Sequence, residues 1–277
     1  MPPLVLCTLG DLLLDVIVRL EQPLEASTDA TAVTRTGAGG QAANVAAWTA
    51  SLGAESRFVG KRGDDPAGAL AADELIRRGV AVLGPVARGR NGVVVSLVSA
   101  DGDRAMASDR GVAPALAAEE LERPWFDDCT HLHVSGYSLM ASPIDGAALA
   151  AAALARDAGG RVSIDLASSS VIREFGPDRL RARLDELAPE VVFGNEQERA
   201  ALGGSAGAPN ATWILKRGAA GCAVEHDGER REFPALVTDV IDTTGAGDAF
   251  AAGYLVGGVE LALETAARCV AQLGAMP

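Results

Sequence analysis

Asp242-Thr243-Thr244-Gly245-Ala246-Gly247-Asp248-Ala249-Phe250 carries the reading of this chain. It places two carboxylates, two hydroxyls and two glycines ahead of the small, apolar run Ala249-Phe250-Ala251-Ala252-Gly253-Tyr254-Leu255-Val256, which is expected to form a buried helix. A turn opening onto a helix start leaves the first backbone N–H groups without intrahelical partners, and no large side chain covers them at Gly245, Ala246 and Gly247. Such amides, aided by the helix dipole, suit a small anion such as phosphate. Asp248 then falls in the first turn, where a carboxylate could take a proton from a hydroxyl attacking that phosphate. Gly and Asp also favour turns and caps, so a capped helix accounts for this stretch alone equally well.

The rest of the chain sets bounds on the answer. Its 277 residues are 48% hydrophobic, enough for one large domain with a small appendage. It has no continuous apolar run of about 18 residues, and its start, Met1-Pro2-Pro3-Leu4-Val5-Leu6-Cys7, lacks a basic leader; a soluble cytoplasmic protein is expected. A formal net charge of −13 argues against a nucleic-acid partner, though not against an anionic substrate held by a local cluster of donors. Cys7, Cys129, Cys222 and Cys269 contain no C-x-x-C pair and read as reduced thiols. His131, His133 and His226 do not suggest a metal site.

Working outward, short apolar strands alternate with amphipathic helices. Val5 to Leu9 is an expected strand ending at Gly10-Asp11, and Asp15 follows in a second strand; both acids could hold sugar hydroxyls. An alternating strand from Thr31 to Thr36 leads into a glycine loop, Gly37-Ala38-Gly39-Gly40, and an Ala-rich helix bearing Asn44. This loop matches G-x-G-x-x-A, with Glu55 at the distance of a dinucleotide fold's ribose acid, but the strand before it is polar. Strands at 56–60, 80–83, 131–135, 161–166, 190–193 and 212–215, with helices between them, predict βαβ units and a parallel sheet. Gly92 to Ser108 reads as an antiparallel hairpin around Asp101-Gly102-Asp103 and could join residues 12–36 in a small separate sheet. Asn195 and Glu198 share one helix face, fitting either an N-cap pair or a magnesium water shell. Lys216-Arg217-Gly218-Ala219-Ala220-Gly221 puts two cations and two glycines at a strand end, which fits phosphate.

Gly39-Gly40 with Asn44, Asn195 with Glu198, Lys216 to Gly221, and Asp242 to Asp248 stand in the order and spacing of the ribokinase, or PfkB-type, carbohydrate kinases, and the chain resembles that family over essentially its whole length. The resemblance implies a three-layer α/β/α core with a mostly parallel central sheet (residues 1–11, 37–84 and 111–277) and a small β-sheet lid (12–36 and 85–110). It also implies an Mg2+–ATP donor and a primary-hydroxyl acceptor. By the same resemblance Asp248 is the catalytic base and Gly245, Ala246 and Gly247 the anion hole. Asp11, Asp15, Gly39, Gly40 and Asn44 contact the sugar. Asn195, Lys216, Gly218, Gly221, Thr243 and Thr244 contact ATP, Asn195 and Glu198 hold magnesium through water, and Asp242 with Thr244 lies where many members bind K+. Lys216-Arg217-Gly218 departs from the family's Thr-Leu-Gly. Asp165-Leu166-Ala167 departs from an Asp-x-Asn seen in some members, so no catalytic role is expected there.

An aspartate at a positive helix end is expected to have a lowered pKa and to accept the proton late in a loose phosphoryl transfer. Residues 12–36 and 85–110 contain no Phe, Tyr or Trp to stack a nucleobase, which favours a sugar such as ribose, fructose or 2-keto-3-deoxygluconate over a nucleoside. Among the arginines there, Arg104 and Arg110 are candidates for a sugar acid's carboxylate. A sugar- or nucleotide-binding regulator and a dinucleotide-binding oxidoreductase are the readings from other classes. A homodimer formed through the small sheet is also considered, because exposed sheet edges pair readily.

Overall fold

The computed structural model describes residues 4–25, 27, 29–99, 104–204 and 208–277. In chain order the strands are β1 (Val5–Leu9), β2 (Leu13–Leu20), β3 (Ala32–Gly39), β4 (Glu55–Val59), β5 (Arg62–Gly63), β6 (Val80–Leu83), β7 (Val86–Ala87), β8 (Asn91–Val98), β9 (Arg104–Gly111), β10 (His131–Ser135), β11 (Arg161–Asp165), β12 (Val191–Asn195), β13 (Thr212–Lys216), β14 (Cys222–His226) and β15 (Glu229–Phe233). The helices are α1 (Gln41–Ser51), α2 (Pro66–Arg77), α3 (Gly136–Leu139), α4 (Ile144–Asp157), α5 (Ser169–Phe175), α6 (Pro177–Leu187), α7 (Glu196–Leu202), α8 (Ala246–Gly257) and α9 (Val259–Val270).

Nine strands form one sheet in the order β15-β14-β13-β12-β11-β10-β1-β4-β6. From β13 to β6 every pairing is parallel, and β14 and β15 close one edge antiparallel. The interior strands are apolar because both faces are covered. Cys7, Leu9, Val134 and Ile164 face a core filled by α4, α5, α6 and α7, with Ala151, Ile172, Leu184 and Leu202 at its centre. Leu6, Phe193 and Ile214, one residue out of phase, face α1, α8 and α9 through Trp48, Ala251 and Ala262. The result is the expected three-layer α/β/α arrangement.

A second sheet runs β3-β2-β8-β9: two antiparallel hairpins joined by the parallel pair β2–β8. Asn91 fastens it to the core. Buried at the start of β8, this side chain accepts from Gly63 N at 3.1 Å and donates to Leu12 O at 3.1 Å.

Several elements differ from expectation. Gly37 to Gly39 is not a loop but the end of β3, with Gly37 opposite Asp15 and Gly39 opposite Leu13. The chain turns only at Gly40, whose φ is 100° and where a Cβ would come within 2.3 Å of Asp11 O. β3 and β9 run through Gly39 and Gly111, past the expected edges of the small sheet at 36 and 110. The expected turn Asp101-Gly102-Asp103 lies outside the described residues. Glu55 opens β4 at the amino end of the sheet, bound to Arg57, so the pattern of a dinucleotide fold fails there. α3 and α5 have no counterpart in the sequence reading: α3 is a single turn and α5 buries only Ile172, too little for a 3.6-residue period to register.

Candidate active site

Five interior strands deliver polar groups to one edge of the sheet. β1 runs into Asp11, β10 into Tyr137, and β11, β12 and β13 end on Asp165, Asn195 and Lys216. Open parallel sheets bind ligands at this carboxyl edge. The amino-terminal turns of α1 and α8 face the same place, because Asn44 Nδ2 donates to Asp248 Oδ2 at 2.7 Å. Asn44 is buried, and its Oδ1 has no hydrogen-bond partner among the described residues, leaving an acceptor beside Asp248.

The start of α8 has the geometry that suits an anion. Gly245, at φ 73°, is its N-cap, and a Cβ there would strike Ala275 at 2.6 Å. The first helical bond is Ala249 N to Gly245 O at 2.8 Å, so the amides of Gly247 and Asp248 precede it. Lys216 lies over this turn: a Cβ at Gly247 would sit 3.0 Å from its Nζ. The ammonium pairs with the buried carboxylate of Asp165, and Glu198 and Asp248 are electrostatic neighbours. Burial works against the lysine's charge, but Asp165 and Glu198 outweigh it and hold its pKa above the ordinary value.

Asp248 does not have the lowered pKa expected from the helix dipole. Burial pushes it up to about 7, with Asp165 and Asp15 adding to the rise, against the opposing hydrogen bond from Asn44 and the charge of Lys216. The dipole end is worth under ~1 kcal/mol at most surface sites, and desolvation among acids exceeds it here. Glu198 is likewise raised, by burial first and then by Asp165.

Asp15, from β2, lies against the backbone of Gly39, where a Cβ would stand 2.1 Å from its carboxyl carbon; this is the close approach that requires glycine. Asp11 is held by Arg110, whose Nε and Nη2 reach its two oxygens at 2.5 and 3.0 Å. The guanidinium also lies 5.8 Å from the ring centre of Tyr137. The Arg104 side chain lies outside the described residues; its backbone pairs with Val98 near the far end of β8.

Asn195 and Glu198 form a reciprocal capping box on α7: Asn195 Oδ1 accepts from Glu198 N at 2.9 Å, and Glu198 Oε2 accepts from Asn195 N at 2.8 Å. Asp242 Oδ1 accepts from Thr244 N and Oγ1 at 2.9 and 2.6 Å, and Oδ2 accepts from Gly274 N at 3.0 Å. Thr243 is exposed beside them. Gly218 opens a short turn, and Gly221 closes it where a Cβ would lie 2.0 Å from Phe233 O. Arg217, expected as a second phosphate cation, instead pairs with Glu232 on β15 at 2.9 Å.

Two residues of the site escaped the sequence reading. Asp165, for which the sequence predicts no catalytic role, pairs with Lys216; its position at the carboxyl end of an interior strand is the available signal. Tyr137 gave no signal, since it lies in a glycine-led turn after β10.

Among the described residues no cluster of three His, Cys, Asp or Glu side chains could hold a metal. Magnesium needs no such cage when nucleotide phosphates supply ligands. Asp165, Glu198 and Asp248 gather around the single ammonium of Lys216, and that excess of negative charge fits a divalent cation arriving with ATP.

A three-layer α/β/α core with a small accessory sheet and a glycine-led helix start facing an aspartate defines the class of ribokinase-like phosphotransferases. The chain matches the pfkB family of carbohydrate kinases over residues 5–276 and belongs to that family. It is 33% identical over 270 residues to an ATP-dependent ribose-1-phosphate kinase of Halopiger xanaduensis, covering 92% of this chain and 86% of that one. It is 30% identical over 247 residues to a fructokinase of Escherichia coli, covering 83% and 80%. The fold is shared with a probable sugar kinase from Rhizobium etli (TM-score 0.86, 23% identity, 100% and 96% covered). It is also shared with a ribokinase II of E. coli in complex with ATP and Mg2+ (TM-score 0.79, 23% identity, 99% and 94% covered). The protein is a kinase of an ATP-dependent family, acting on a sugar hydroxyl. No helix among the described residues is long and apolar enough to cross a membrane.

Proposed function

We propose that the protein transfers the γ-phosphoryl group of Mg2+–ATP to a primary hydroxyl of a small sugar, with Asp248 as the base. The observation that carries this is the meeting of Asn44, Asp248 and Lys216 at the exposed amides of α8. The acceptor oxygen attacks the γ-phosphorus, the bond from γ-phosphorus to the β–γ bridging oxygen breaks, and ADP leaves with that electron pair. The hydroxyl proton passes to Asp248 Oδ1 or Oδ2. The amides of Gly245, Gly247 and Asp248 and the Lys216 ammonium stabilise charge on the transferring group, while Ala246 N is held by Thr243 O at 3.3 Å and shapes the turn. Magnesium, when bound with ATP beside Asn195 and Glu198, neutralises phosphate charge. Gly218, Gly221, Thr243 and Thr244 border the nucleotide, and Asp242 with Thr244 is the candidate K+ site, testable by exchanging K+ for a bulky organic cation.

Asp11, Asp15, Gly39, Gly40, Asn44 and Arg110 form the acceptor side, with the small sheet as its lid. The tests are ADP release with ribose, fructose, ribose 1-phosphate, 2-keto-3-deoxygluconate and nucleosides, and the variant Asp248→Asn. That variant is expected to keep sugar binding and lose at least about a hundredfold in kcat; near-normal turnover would overturn the assignment. A nucleoside acceptor is the second reading, favoured by one observation: the half-buried ring of Tyr137 offers a stacking face that the lid strands lack.

A further inference from the structure

Arg110, at the end of β9, is bound to Asp11. Arg35 donates to Leu273 O and Arg90 pairs with Asp109, so both are committed elsewhere. Arg110 is engaged by Asp11 through Nε and Nη2, and its Nη1 has no hydrogen-bond partner among the described residues. A guanidinium has five donors in a rigid fork, so one carboxylate orients it without exhausting it. Its side chain is only about a quarter exposed, at 24%, and the Tyr137 ring lies on one side, 5.8 Å away. A guanidinium oriented by one carboxylate, with a donor to spare, can receive a second anion.

Its place in the pocket decides where that anion lies. Gly40, the N-cap of α1, lies against Asp11 O, and Asn44 in the first turn of the same helix reaches Asp248, so Asp11 with its Arg110 borders the same site as Asp248. Asn44 and Asp15 cluster with Asp248, while Asp11 is with Arg110. The guanidinium on Asp11 and the carboxylate of Asp248 are therefore two separate contacts open to one acceptor.

Resting on the kinase reading above, we infer that the acceptor is an anionic sugar. Its phosphate or carboxylate docks on Arg110, and the hydroxyl that receives the phosphoryl group lies beside Asp248. The product then carries two anionic groups. Phosphate and carboxylate share this chemistry, and ribose 1-phosphate and 2-keto-3-deoxygluconate separate them experimentally.

The test is the ratio of kcat/KM for each anionic sugar to that for its neutral counterpart, ribose or 3-deoxyhexose. In the native protein this ratio is expected to exceed about ten for one of the two anions, carried mainly by KM. In Arg110→Gln it should fall towards one, and Arg110→Lys, which keeps charge but loses the fork, should restore part of it. Equal use of neutral and anionic sugars by the native protein would overturn the inference, as would an Arg110→Gln defect that lowers all acceptors alike. Calorimetric binding of the same sugars to Asp248→Asn gives the contrast without turnover. Arg110-dependent preference for an anionic sugar together with near-normal turnover in Asp248→Asn would uphold this inference and sink the assignment of Asp248 as base; turnover of neutral sugars alone, lost in Asp248→Asn, would do the reverse.

Discussion

Asp248 stands at the positive end of a helix and yet holds its proton up to about pH 7, because burial and the carboxylates of Asp165 and Asp15 outweigh the dipole. A base must be ionised, so kcat/KM is expected to rise through a pKa near 7 and to fall about tenfold per pH unit below it. A pH-independent rate between 5.5 and 7.5 would contradict this. Stability moves the other way. The folded pKa lies above the ordinary 3.8, so the folded form keeps a proton that the unfolded form releases, and stability declines as pH rises from about 4 to about 7. Asp248→Asn should therefore melt higher than the native protein at pH 8, with a smaller difference at pH 5. Lys216 depends on Asp165 in the same cluster. Asp165→Asn is expected to raise the KM for ATP and to lower kcat at least about tenfold, as a positioning residue whose loss frees the ammonium. An unchanged KM for ATP would confine Asp165 to structure.

At the scale of elements, the active edge is assembled from strand ends and two helix starts, each set by local sequence. Of the two helix starts Gly40 is the tighter, at φ 100° and with a Cβ that would lie 2.3 Å from Asp11 O, against 2.6 Å from Ala275 at Gly245. Gly40→Ala is expected to destabilise by at least ~2 kcal/mol in urea unfolding and to displace Asn44, lowering turnover further than binding. The elements that the sequence showed clearly are those with a strong local period: Val5–Leu9, Pro177–Leu187 and Thr212–Lys216 fall where apolar runs and amphipathic spacing put them. The glycine-rich segment 37–39 misled, because glycine signals a loop locally. It pairs with β2, a strand distant in sequence, and Asp15 of that strand lies against Gly39. The site divided in the same way. Asp248, Asn44 and Asn195 announced themselves through spacing, whereas the pairing of Asp165 with Lys216 and of Asp11 with Arg110 is a tertiary contact that no local pattern encodes. The pKa of Asp248 was missed for the same reason, since three of its perturbing groups, Asp165, Lys216 and Asp15, come from other elements.

For the whole molecule, the coupling between the two sheets decides whether the acceptor residues on the small sheet meet Asp248 on the core. Asn91 ties the start of β8 to β5 and to the residue ahead of β2, accepting from Gly63 N and donating to Leu12 O, each at 3.1 Å, beside the core helix α2, whose Gly68 approaches its Oδ1. Asn91→Ala strands the buried partners and should cost ~2–3 kcal/mol. Faster amide exchange in β2 and β8 than in β10 and β11 would accompany it; equal protection in both sheets would show that Asn91 does not couple them. The parallel joint between β2 and β8 has a further consequence, for how the chain reaches this state. The hairpins β2–β3 and β8–β9 close through contacts near in sequence, but their union spans the whole of α1, β4, α2 and β6. Loop-closure entropy makes that union a late event, after the layers between them have condensed. Until it occurs, β2 and β8 each present an open strand edge, and the nascent protein is at its most prone to pair with a neighbour.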